Sequence, residues 1–63
     1  MTSRTVEEKI RDALTRRPQP TAMLARAGGC TLGEAVVILM RLEARSVAER
    51  GPVFGGMTWR AVR

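Results

Sequence analysis

Sixty-three residues make one small domain over 1–63; a chain of this length buries only about 60% of the surface its unfolded form exposes, so a second copy or a ligand is a natural completion. Eleven Lys and Arg against six Asp and Glu leave a net charge of +5, which favours a polyanionic partner with nucleic acid first; ten of the eleven are Arg, apt for bidentate phosphate contacts but also a product of a GC-rich genome. A single cysteine and no histidine exclude an internal disulfide and the usual zinc spacings, and the longest apolar run, Ala35 to Met40, is six residues against the roughly 18 of a spanning helix.

Those exclusions frame a cytoplasmic protein, nucleoid-associated when on DNA, with no membrane, no metal and no cofactor. Met1 followed by a polar lead reads as an intact product. Cys30 reads as a small buried apolar residue in a turn, its alternative being a redox or intermolecular thiol.

Thr5 stands three residues before Glu8 as a capping box, and Val6, Ile10, Ala13 and Leu14 recur on one face, so a first helix is predicted over 5–16. Arg16 and Arg17 fall at its C-terminal end, where cations favour the macrodipole, and Pro18 stops it. They read either as a cap or as phosphate contacts. Pro18 and Pro20 hold a short extended linker with room for a stub of strand. Thr21 is placed to cap a second helix over 21–27, with Gly28 at the C′ position where a left-handed backbone is needed.

Gly28, Gly29 and Cys30 then make the tight connection of a helix-turn-helix. Thr31 and Glu34 form a second capping box for a third helix over 32–45. Leu32, Ala35, Leu39 and Leu42 are its predicted buried stripe, and Gly33, Val37, Met40, Arg41 and Ala44 its outward face, with Val36 at the side. That outward face is smooth and largely apolar. Ser46 to Arg50 alternates as a strand with Val47 inward, Met57 to Val62 pairs with it antiparallel, and Gly51 to Gly56 is the tip, so the hairpin occupies 46–62. Trp59, the only Trp, is placed to close the core and donate its N–H to a backbone acceptor; its alternative is stacking on a base or a partner.

Thr31, Glu34, Ala35, Leu39, Leu42, Glu43, Val47, Arg50, the Gly55-Gly56 pair and Trp59 together resemble the winged-helix superfamily, in which a capped recognition helix ending in L-E-x-x-G-x-V leads to a charged strand, a Gly-rich wing and an aromatic. The chain is similar to modules of small bacterial transcription regulators, including pilus-operon regulators, and to the C-terminal module of DNA-processing proteins of the DprA type. The resemblance implies an α+β winged helix-turn-helix: three helices followed by a two-stranded β-hairpin wing. The family often has Gly near the end of the recognition helix; Arg45 and Ser46 stand here, leaving the exit turn free to differ. The Trp on the wing also looks like that of Z-form nucleic-acid binders, but Val36 and Met40 occupy positions where those proteins are polar or aromatic, and that activity does not carry over.

On this fold the third helix would enter a major groove while the wing and nearby cations hold phosphates. Thr31, Gly33, Glu34 and Val37 then lie near base edges, Arg41, Arg50 and Arg60 near phosphates, with Arg16 and Arg17 beside them and Val53 and Phe54 at the wing tip facing the minor groove. The implied function is double-stranded DNA binding by sequence or shape, in a bacterial or phage transcriptional regulator acting as a homodimer. The alternative is a protein-interaction or self-association module using Val36, Val37, Met40 and Ala44, with Phe54 as a second anchor. What separates the two is whether Arg41, Arg50 and Arg60 converge. No enzyme is expected: Glu7, Glu8 and Asp12 read as surface pairs on an amphipathic helix, and no catalytic residues are assigned.

Overall fold

Each helix in this chain begins or ends on a chemically identifiable group, and those groups set how the elements meet. In the computed structural model, which describes residues 5–51 and 57–62, the order is α1 (Val6–Ala13), β1 (Gln19–Pro20), α2 (Thr21–Gly28), α3 (Leu32–Ala44), β2 (Ala48–Arg50) and β3 (Thr58–Ala61). The architecture is α+β: three helices and a three-stranded antiparallel sheet of order β1-β3-β2. The hairpin supplies two of these strands, and the linker had room for one more. The third is the stub at Gln19–Pro20, which pairs with β3 through Gln19 opposite Trp59 and Pro20 opposite Thr58. A proline is tolerated there because β1 is an edge strand.

The first helix is shorter than the predicted 5–16. Thr5 caps it, its hydroxyl accepting from the Glu8 amide at 3.2 Å, but Leu14 already has extended backbone and is buried. The chain must straighten early because the Ala61 amide donates to the Thr15 carbonyl and the Gln19 side chain accepts from the Thr15 amide. Arg16 and Arg17 therefore lie in an exposed bend beyond the helix, not on its last turn, whose basic residue is Arg11. Pro18 is not the stop.

Thr21 does not cap α2. It is the first helical residue, preceded by Pro20 with no side-chain cap, and its hydroxyl is used across the molecule. The left-handed residue is Gly29, at φ 67°, one position later than predicted. Its amide donates to the Arg26 carbonyl and that of Cys30 to Ala25, the bonding of a Schellman motif. Gly28 is instead the last residue of α2 and buried, because a Cβ there would lie 2.8 Å from Ile10 Cγ1. It is the contact point of α1 and α2.

Helix α3 carries the full capping box at Thr31 and Glu34, as expected. Ala35, Leu39 and Leu42 are buried, but Leu32 is 55% exposed. Thr31 to Glu34 are all exposed, so the first turn of α3 projects past the core and Leu32 has nothing to pack under, although its spacing fits the stripe. At the other end, the Ser46 amide donates to Glu43 and that of Val47 to Leu42, a second Schellman motif. Ser46, at φ 61°, takes the left-handed position itself. The exit turn thus forms without a glycine. Ala48, not Val47, is the fully inward residue of the following strand; Val47 is half-buried, and its carbonyl accepts from the Val62 amide.

Trp59, Ile10, Leu24, Leu39 and Leu42 are fully buried at the centre of the core, each contributing about 1.5–3 kcal/mol of transfer free energy. The Trp59 indole closes this core as expected, but its N–H donates to the Thr21 hydroxyl at 2.8 Å and not to a backbone carbonyl.

Candidate interface on the third helix

The two helices of the Gly-rich turn meet at 99°. That corner leaves one long side of α3 uncovered. Val37 and Met40 are 51% and 47% exposed, Gly33, Arg41 and Ala44 are exposed beside them, and Val36 is half-buried at the flank. A Cβ built on Gly33 meets nothing within 4 Å, so this turn admits close approach of another molecule. Gly33, Glu34, Val37 and Ile38 line a shallow groove of about 360 Å³. Glu34 is held in place by its cap: Oε1 accepts from the Thr31 amide at 3.1 Å and from the Thr31 hydroxyl at 2.9 Å. These bonds, the backbone one first, hold its carboxyl below the usual carboxylate range. Cys30, in the turn, is half-buried with Sγ 3.8 Å from the Ala25 carbonyl, and burial followed by the Glu34 charge pushes its thiol up.

The cations do not form one track. Strand register sets Arg50 opposite Trp59 and Glu49 opposite Arg60, so period-two alternation sends Arg50 to the face that Trp59 presents to the core and Arg60 to the opposite face. The Arg50 guanidinium stands 5.4 Å from the Trp59 ring centroid and its Nε lies 3.2 Å from a Glu43 oxygen on α3. Arg60 pairs with Glu49 and, with Arg16, Ala61 and Val62, lines a cleft of about 310 Å³. Arg41 has no ion-pair partner among the described residues and lies on the exposed side of α3, away from Glu43. Arg17 is exposed in the bend beside Arg16. Phe54 and Val53 lie outside the described residues.

Two further arginines come together in the fold although neither is a candidate site residue in the sequence. Arg11 and Arg45 flank a cleft of about 350 Å³ that also includes Leu14, Val47 and Ala61, and Arg45 sits 3.5 Å from Glu7. Nothing in the local pattern joins positions 11 and 45; α1 and α3 come side by side only in the folded chain. The sequence presents Thr21 only as a cap for α2, although a single Trp signals that its buried N–H needs a partner. Among the described residues no helix is long and apolar enough to cross a membrane. The chain matches no protein-family model, no curated protein and no solved structure.

Proposed function

We propose that this chain is a winged helix-turn-helix module that binds double-stranded DNA, as a small transcriptional regulator, with α3 laid in the major groove. The observation that carries the reading is the 99° corner between α2 and α3, which falls in the 90–120° range of helix-turn-helix pairs and leaves the capped first turn of α3 projecting past the core. The element order, with β1 pairing at the far side of the β2-β3 hairpin, is compatible with a wing beside that helix. Thr31 and Gly33 are then the groove-facing residues, Val37 meets a thymine methyl, and Arg41 is the phosphate contact on the helix itself. Glu34 has one oxygen committed to its cap, which limits it as a base reader. With few polar groups on the helix, the recognition is by charge and shape more than by a dense base code.

The test is anisotropy of a labelled random duplex titrated with the protein as salt rises to physiological levels. Binding whose log affinity falls with log salt at a slope of about −3 to −5 supports the reading, each neutralised phosphate contributing about 0.9. No binding at low salt, from a chain of charge +5, overturns it.

A second reading, a protein-association surface, is favoured by two observations: Arg41, Arg50 and Arg60 lie on three different surfaces and do not converge, and Leu32, Val37 and Met40 stand 55%, 51% and 47% exposed on the same helix.

A further inference from the structure

Gly33, Val37, Met40 and Ala44 follow one another along α3 at steps of four, three and four residues, the spacing of a coiled-coil seam, and all four are exposed. Their sizes are graded, small at both ends and large in the middle. Only two charged residues occupy exposed positions of α3, Glu34 and Arg41. They are of opposite sign, two turns apart, and each directly follows a seam residue, so both lie on the same flank. Running the helix antiparallel to itself about a twofold axis between Val37 and Met40 sets Gly33 opposite Ala44, Val37 opposite Met40, and Glu34 of each copy within two residues of Arg41 of the other, on the same flank. The surface is self-complementary, as an isologous interface requires.

We propose that two copies of this chain pair through α3 in this antiparallel arrangement. The occupant is a second copy because charge and shape both match the helix's own reverse. The Glu34 Oε1 atom is engaged by Thr31, and its other carboxylate oxygen has no hydrogen-bond partner among the described residues, so it faces the copy's Arg41 without loss of the cap. The shallow groove of about 360 Å³ beside Val37 accepts the Met40 side chain of the copy as a knob. A domain of this size gains from the added burial. The pairing goes beyond the duplex reading and does not rest on it, but it covers the same face. A dimer of this kind is therefore a resting form that duplex DNA competes with, and not the dimer that would read a palindrome.

Analytical ultracentrifugation of the chain from micromolar to hundreds of micromolar tests this directly. A monomer–dimer equilibrium is expected, with Met40→Lys and Arg41→Glu each raising the dissociation constant at least about tenfold while circular dichroism stays unchanged. Register is tested in a Cys30→Ser background: an equimolar mixture of Val37→Cys and Met40→Cys chains, oxidised gently, yields the crossed disulfide well in excess of either self-linked product. A monomer throughout, a dimer indifferent to Met40→Lys, or a statistical mixture of disulfides overturns the pairing. A salt titration on duplex DNA at chain concentrations below the dimer dissociation constant reads the monomer alone, so the two readings fail separately.

Discussion

Trp59 donates its indole N–H to the Thr21 hydroxyl at 2.8 Å, and that hydroxyl donates in turn to the Met57 carbonyl at 3.0 Å. One side chain at the start of α2 thereby satisfies the indole at the centre of the core and ties the returning strand to α2; the Thr21 amide adds a bond to the same carbonyl at 3.1 Å. Thr21→Val keeps the shape and removes both hydroxyl bonds, leaving a buried N–H without a partner. The expected loss is about 1–3 kcal/mol of unfolding free energy, measured by urea denaturation followed through Trp59 fluorescence. A loss below a few tenths would mean that the indole finds another acceptor.

Gly28 and Ser46 make opposite predictions about glycine. At Gly28 a methyl group would sit 2.8 Å from Ile10 Cγ1 and 3.2 Å from Val6 Cγ1, and Ile10 is fully buried with no room to retreat. Gly28→Ala should cost about 1–3 kcal/mol despite the better helix propensity of alanine. At Ser46 the backbone already holds a left-handed φ of 61°, which glycine adopts without strain. Ser46→Gly should raise stability by about 0.5–1 kcal/mol, after the extra entropy of an unfolded glycine is set against the relief. Thermal melts of the two variants should move in opposite directions.

The α3 cap links stability to acid. Glu34 has a folded-state pKa below its unfolded one, so its contribution is fully present above the ordinary carboxylate range, near about 4.3, and is lost as pH falls through the lowered folded value. Thr31→Ala removes the hydroxyl that Glu34 accepts from and should cost about 0.5–2 kcal/mol at neutral pH. It should also make stability less dependent on pH in acid, seen as a smaller drop in urea midpoint between pH 7 and pH 3 than in the parent chain. Equal drops would show that the backbone amide of residue 31, which the substitution keeps, carries the linkage to Glu34 by itself.

Arg41 and Arg50 should part company on DNA. Arg50 is held by Glu43 and the Trp59 ring, whereas Arg41 projects from the open side of α3. Arg41→Ala should weaken duplex binding across all sequences and lower the salt slope by about one contact, and Arg50→Ala should leave the slope unchanged. Arg50→Ala should instead cost about 0.5–1 kcal/mol of stability through the lost cation–π contact. If Arg50→Ala also lowers the slope, its guanidinium must leave the Trp59 ring when DNA is bound.

What the sequence determined by itself was local. The Thr5 and Thr31 caps, the 3.6-residue spacing of Ile10, Leu39 and Leu42, the Gly-rich corner and the alternating run ending at Arg50 are rules of adjacent backbone and side chains, and the three helices and two hairpin strands lie within three residues of where such rules place them. The ends of elements were less legible, because there a distant partner outbids the local preference. Thr15 leaves the helix to meet Ala61, Gly28 stays helical to meet Ile10, and Thr21 gives up a cap to meet Trp59. Tertiary structure alone decided which arginines face together: pairing Glu49 with Arg60 and Arg50 with Trp59 sends Arg50 and Arg60 to opposite sides of the sheet, while Arg41 lies on a third surface. Charge is a property of composition. Convergence depends on strand register and helix rotation, which arise only when the elements pack.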